Sequence, residues 1–117
     1  MKISDSEMEI MKILWSCGGE ITSPEIAARL NDSRKPTTIL TFLKRLEDKG
    51  AASIRREGKI NYYSARISKD EYLHEQTEEF VNEIHNGSVK NFLAALYADG
   101  KPDKQELNKI KEWFESL

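Results

Sequence analysis

Residues 36–50, PTTILTFLKRLEDKG, carry a buried face and a contrasting outer face within one segment. Ile39, Phe42, Leu43 and Leu46 recur at i, i+3, i+4 and i+7, the stripe of an α-helix, and are expected in the core. The remaining surface begins with Thr37, Thr38, Leu40, Thr41, Lys44 and Arg45, and Glu47 and Asp48 come last. A surface helix that only had to complement its own macrodipole would put acids first and bases last. Short hydroxyl side chains beside open peptide N–H groups, followed by two bases, suit a helix whose start meets phosphates and base edges. The alternative is an ordinary amphipathic helix with a Thr-rich exposed start.

Upstream, Ser4 to Cys17 reads as a first helix. Ser4 and Glu7 have capping-box spacing, Ile3 and Met8 are placed as a hydrophobic staple, and Gly18-Gly19 ends it. Met8, Met11 and Trp15 form an apolar line that Ile10 and Leu14 adjoin. Thr22 and Ser23 offer N-caps before Pro24, opening a short helix to Leu30 with Ile26, Ala27 and Leu30 inward. Asn31 to Lys35 is a polar connection to the helix that starts at Pro36. Two short helices joined by a tight polar turn form a helix-turn-helix. After Gly50 the period changes: Ser53 to Arg56 and Ile60 to Ala65, separated by Glu57, Gly58 and Lys59, read as a β-hairpin with Arg55, Arg56 and Lys59 at its tip. Three helices followed by a basic hairpin is the order of a winged helix-turn-helix, here residues 1–67.

Residues 68–117 carry three more amphipathic helices. Ser68 and Glu71 cap the first, which ends near Asn86-Gly87 with Leu73, Phe80 and Ile84 on one side. Val89, Phe92, Leu93, Leu96 and Tyr97 fit the stripe of the next, stopped at Asp99-Gly100. Pro102 and Asp103 open the last, where Asp103 and Glu106 cap and Leu107, Ile110, Phe114 and Leu117 line a face that Trp113 widens. So small a helical unit buries too little of its surface to stand alone. A second copy in two-fold symmetry is expected to cover these faces, the alternative being that the helices fold back on the winged domain. The fold class is therefore mainly α with a small β-hairpin: a winged helix-turn-helix domain plus a C-terminal three-helix dimerisation domain.

Composition narrows the function. The 117 residues are 32% charged and 38% hydrophobic, with net charge −2 and one cysteine. No apolar run reaches the roughly 20 residues of a membrane span and no signal-peptide pattern opens the chain, so a cytoplasmic protein without membrane insertion is expected. Cys17 reads as a small core hydrophobe. The charge is uneven. Arg34 to Lys69 holds ten bases against three acids, and Glu71 to Leu117 five bases against ten acids. A basic block thus surrounds the Pro36 helix inside a mildly acidic chain, and it is local clustering that marks a polyanion surface. No catalytic, metal or cofactor site emerges. His74-Glu75 starts the zinc motif H-E-x-x-H, but Glu78 stands where the second histidine belongs. His74 and His85 read as surface residues, and the adjacent Glu78 and Glu79 as a solvated face. No Gly-rich phosphate loop or G-x-S-x-G elbow occurs.

The runs ISDSEMEIMKILW, TSPEIAARL, PTTILTFLKRLEDKG and EGKINYYS resemble those of the penicillinase-repressor (BlaI/MecI-type) regulators, from Ile3 to about Leu117. The resemblance implies a homodimeric repressor on dyad operators with TACA/TGTA half-sites, inactivated in β-lactam systems by proteolysis that a membrane sensor peptidase triggers. It implies DNA contacts at Thr38, Thr41 and Arg45. Two family bases are replaced, by Thr37 and by Leu40, and Leu40 can only offer an apolar contact such as packing on a thymine methyl. The family's scissile Asn-Phe bond aligns with Ala95-Leu96, and Asn91-Phe92 lies one turn earlier. The C-terminal cysteine cluster of copper-responsive members is absent, which excludes copper sensing.

Together these readings give a DNA-binding set of Thr37, Thr38, Leu40, Thr41, Lys44, Arg45, Arg55, Arg56 and Lys59. The expected dimer interface is Leu73, Phe80, Ile84, Val89, Phe92, Leu93, Leu96, Leu107, Ile110, Trp113 and Phe114. The competing function is a winged-helix protein-interaction module that does not bind DNA sequence-specifically.

Overall fold

The computed structural model describes residues 1–30, 35–97 and 103–117. The element order is α1 (Asp5–Cys17), β1 (Ile21–Thr22), α2 (Ser23–Leu30), α3 (Pro36–Asp48), β2 (Ala52–Glu57), β3 (Ile60–Ala65), α4 (Lys69–Ile84), α5 (Val89–Leu96) and α6 (Lys104–Glu115). Two compact units form, Met1–Gln76 and Thr77–Leu117, dividing within α4.

In the first unit, local chemistry sets the helix ends. Ser4 caps α1 by accepting from the Glu7 N–H at 3.3 Å, and Gly18 closes it in the left-handed region at φ +66°. Thr22 precedes α2, and the Glu25 carboxylate accepts from both its N–H and its hydroxyl. These bonds hold the Glu25 carboxyl below its usual range. Pro36 opens α3 from the N-cap Lys35, which supplies no side-chain cap.

The core collects Ile10, Met11 and Leu14 of α1, Ile26 of α2, Ile39, Leu43 and Leu46 of α3, then Ala51, Ala52 and Tyr63 from the wing region. Several expectations shift here. The centre of the α1 stripe is Ile10, Met11 and Leu14, while Met8 and Trp15 flank it partly buried. Trp15 keeps its indole N–H near the surface and donates to the Ile67 carbonyl at 2.9 Å, the partner an indole needs. Phe42 is also only partly buried, because it sits at the edge of the α3 stripe. The inward residue of α4 in this unit is Tyr72, 5.8 Å from the Trp15 ring, while Leu73 is exposed. Successive helical positions lie about 100° apart, so with Tyr72 turned in, Leu73 falls outside the narrow sector of α4 that this unit covers.

The sheet is antiparallel in the order β1-β3-β2. β1 is too short to announce itself in the sequence; it pairs Ile21 with Tyr63 and Thr22 with Tyr62. The hairpin pairs Ala52 with Ala65 through Glu57 with Ile60, so the second strand has the expected bounds while the first gains a residue at each end and leaves the two-residue turn Gly58-Lys59. Gly58 has φ +62°, the sign required at the first central position of a type II′ turn.

In the second unit, Gly87 donates to the Val81 carbonyl at 3.0 Å across a left-handed Asn86-Gly87 pair, which ends α4. Ser88 caps α5 and Asp103 caps α6. The rings of Phe80, His85 and Phe92 meet edge to face. No residue of α5 or α6 is fully buried, and Trp113, Phe114 and Leu117 are among the most exposed apolar side chains. The loop over Asn31 to Arg34, the stop at Asp99-Gly100 and the start at Pro102 lie outside the described residues.

Candidate nucleic-acid interface

Burying Ile39, Leu43 and Leu46 turns the opposite face of α3 outward. Thr37, Leu40, Thr41, Lys44 and Arg45 are exposed and Thr38 is half-buried. Positions 37, 40, 41 and 44 repeat at the helical period, so they form one continuous strip. The Thr41 hydroxyl donates to the Thr37 carbonyl at 2.9 Å, which fixes its rotamer and leaves its oxygen lone pairs outward. The Arg45 guanidinium lies 5.7 Å from the Phe42 ring centre, so partly buried Phe42 acts as a platform for it. Lys44 pairs with Glu47 at 3.0 Å and Asp48 at 3.2 Å. The hydrogen bond to Glu47, then that to Asp48, raises the Lys44 pKa, so the ammonium stays charged, but these acids compete with any phosphate for it.

The wing bases fall into two kinds. Arg56 projects near the turn, its Nε donating to the Gly58 carbonyl at 3.3 Å, and Lys59 sits in the turn itself. Arg55 is braced instead: Nε donates to both Glu20 carboxylate oxygens, at 2.8 and 3.1 Å, and Nη1 to Glu57 at 2.8 Å. Its guanidinium also lies 4.6 Å over the Tyr62 ring. These contacts, Glu20 foremost, raise an already high pKa. Sequence reasoning missed this brace, since nothing local links Glu20 to a strand 35 positions away.

One charged pair joins the end of α3 to α1. Glu7, only 3% exposed, accepts from the Lys49 ammonium at 2.7 and 2.8 Å and from the Ser4 hydroxyl at 2.8 Å. Lys49 also donates to the Lys2 carbonyl at 2.7 Å. Burial pushes the Glu7 carboxyl up, but hydrogen bonds from Lys49 and Ser4 and the Lys49 charge outweigh it, and the pKa falls below the usual range. The pair ties the start of α1 to the end of α3.

Three of the wing and helix residues, Leu40, Lys59 and Ile60, line one open groove with Thr22, Ser23, Pro24, Asn61 and Tyr63. Ile60, read from the sequence only as the start of the second strand, was not among the site residues; its only signal was an apolar residue placed directly after a polar turn. Among the described residues, no three His, Cys, Asp or Glu side chains are grouped to hold a metal ion. No described helix is long and apolar enough to cross a membrane.

Two helices in helix-turn-helix order, the second presenting a hydroxyl-rich and basic strip beside a basic hairpin, define a winged-helix protein of the nucleic-acid-reading type. The family model of the penicillinase repressor matches residues 3–116. The chain is 28% identical over 116 residues to the penicillinase repressor of Bacillus licheniformis, covering 97% of this chain and 90% of that protein. It resembles the solution structure of the DNA binding domain of the repressor BlaI at 36% identity and a TM-score of 0.54, over 61% of this chain and 88% of that one. The Bacillus licheniformis BlaI monomeric form, solved in complex with the blaP half-operator, matches at 35% identity and a TM-score of 0.52, over 62% and 89%. The chain belongs to the penicillinase repressor family.

Proposed function

We propose that this protein is a sequence-specific DNA-binding transcriptional repressor that acts as a cytoplasmic homodimer on a dyad operator and has no enzymatic activity. The observation that carries it is the continuous outward strip Thr37, Leu40, Thr41, Lys44 and Arg45 on α3, flanked by Arg56 and Lys59 of the wing. The half-operator complex of its relative supports the same assignment. Thr37, Thr38, Leu40, Thr41 and Arg45 face base edges in the major groove, and Lys44, Arg56 and Lys59 hold phosphates. Arg55, engaged by Glu20 and Glu57, contributes to the phosphate surface chiefly by holding the wing in place. Base contacts then set specificity and phosphate contacts set affinity.

Residues 1–67 serve as the DNA-binding domain and 68–117 as the dimerisation domain. In support, Phe80, Ile84, Val89, Leu96, Trp113 and Phe114 are all at least 48% exposed, an apolar surface that a second copy would bury. Two-fold pairing also matches a palindromic operator. The family resemblance favours inactivation by proteolysis that a membrane sensor peptidase triggers, but with Ala95-Leu96 at the family's scissile position the cut would fall at another bond, and a small ligand or another partner is the alternative inducer.

The test is binding of the purified chain to a fluorescent duplex carrying a TACA/TGTA dyad and to a scrambled duplex, over a range of salt. Binding to the dyad as a dimer, at least ~10³-fold tighter, is the expected result. Equal, steeply salt-dependent binding to both would reject the operator assignment, and binding to neither would favour a protein-interaction module.

A further inference from the structure

In the first unit, Leu40, Ile60 and Leu73 are the large apolar side chains left exposed among the described residues, at 43%, 50% and 49%. Two of the three converge. Leu40 on α3 and Ile60 at the start of β3 line the same open groove, of about 460 Å³, although they are 20 positions apart and on different elements. Their neighbours in it are Lys59 and Asn61 of the wing and Thr22 to Pro24 at the entry of α2.

Exposed leucine and isoleucine side chains are unremarkable when scattered, but two that share a groove form a patch with a purpose. The surrounding charge identifies the occupant. Lys59 lines the groove itself, and Leu40 lies one turn from Lys44 and one from Thr37 on the outward strip of α3. A polyanion is favoured here, and the apolar walls must meet an apolar part of it. Of the groups that duplex DNA shows in the major groove, the thymine 5-methyl is the apolar one.

We infer that Leu40 and Ile60 together form an apolar reader of thymine methyl groups, with Lys59 fixing the adjoining phosphate. The inference rests on the DNA-binding function proposed above and adds how its specificity arises. Leu40, which has no hydrogen-bonding group, selects thymine by contact, and Ile60 of the wing closes the other wall. The wing is thereby a source of sequence preference as well as of phosphate affinity.

The experiment starts from duplexes enriched by the full chain from a random double-stranded library. An enriched duplex is remade with deoxyuridine at each thymine in turn, which removes one methyl and leaves every hydrogen-bonding group. Burying a methyl contributes roughly 0.8 kcal/mol, so binding is expected to weaken about fourfold at each contacted thymine. Leu40→Ala is expected to bind thymine and deoxyuridine duplexes alike at those positions, and Ile60→Ala to show reduced discrimination. Both side chains are exposed, so thermal melts of the variants are expected to match the parent and establish that the fold is intact. If the enriched duplex contains no thymine, or deoxyuridine binds as tightly throughout, the methyl reader is overturned while DNA recognition stands. Undiminished discrimination in Leu40→Ala overturns it as well. If no duplex is enriched, DNA recognition fails and the methyl reader falls with it.

Discussion

Lys49→Met is the perturbation that most directly tests how α3, the proposed recognition helix, is held. The substitution keeps an aliphatic stem of similar length but removes the ammonium that gives Glu7 two bonds, at 2.7 and 2.8 Å. The carboxylate is 3% exposed, so water cannot replace that partner without local opening. Breaking a buried pair by removing one member costs about 3–5 kcal/mol. The lower end applies, because the Ser4 hydroxyl still donates to Glu7 and the Lys49 side chain is itself 33% exposed. A loss of about 3 kcal/mol is therefore expected at pH 7, roughly 10 °C or more in Tm. The assay is urea unfolding followed by circular dichroism.

The pH dependence has a definite sign. In the parent the Glu7 pKa is lowered on folding, so its contribution is complete above the unfolded value of about 4.3 and is lost as pH falls through the lower folded value. In Lys49→Met desolvation is left largely unopposed and the folded pKa rises above the unfolded one. The variant then gains stability relative to the parent as pH falls from 7 toward 4. Glu7→Leu combined with Lys49→Met, which removes both charges, is expected to recover most of the loss. A Lys49→Met protein within 0.5 kcal/mol of the parent at pH 7, or one whose deficit is independent of pH, would refute the reasoning.

Arg45→Ala is expected to weaken operator binding by about 1–3 kcal/mol if its guanidinium makes a bidentate contact to guanine. Measuring it on the operator and on single-base variants checks this, and equal losses on all of them would leave only a phosphate role. Lys59→Ala should lower the slope of log K against log salt by about 0.9, one phosphate's share, whereas Arg55→Ala should weaken binding with a much smaller change of slope. Glu20→Gln, which loosens the same brace, should follow Arg55→Ala; a gain in affinity would show that Glu20 merely competes with phosphate. Phe114→Asp puts a charge into an exposed apolar face of α6, and sedimentation is expected to shift from dimer toward monomer with the melting of the first unit unchanged.

Much of the fold was legible because its determinants are local. The caps at Ser4, Ser68 and Asp103, the left-handed Gly18 and the turn at Gly58 all act within a few residues of themselves. Where the reading missed, it missed by register. Periodicity finds the apolar sector of α1 and α4, but which residue reaches the bottom of the core depends on what packs opposite. Thus Ile10 and Leu14 joined Met11 in the core while Met8 and Trp15 stayed at its edge, and Tyr72, which the periodicity did not single out, turned in to meet Trp15. Strand β1 escaped because two residues have no period, and its existence depends on β3 offering a partner edge.

The sequence by itself determined the helix stripe of residues 36–50, the basic block around it and the amphipathic helices that follow, since each follows from side-chain type at fixed spacing. Only the tertiary structure decided which bases are available and what surrounds them. Glu7 meets Lys49 across 42 positions and Glu20 meets Arg55 across 35, so one lysine becomes a strut onto a buried carboxylate and one arginine a brace. In the same way Leu40 and Ile60 become neighbours only when the wing folds beside α3. The physical reason is that spacing along the chain fixes which face a residue occupies within its own element. Electrostatic and apolar partners at the surface are set by how separate elements pack.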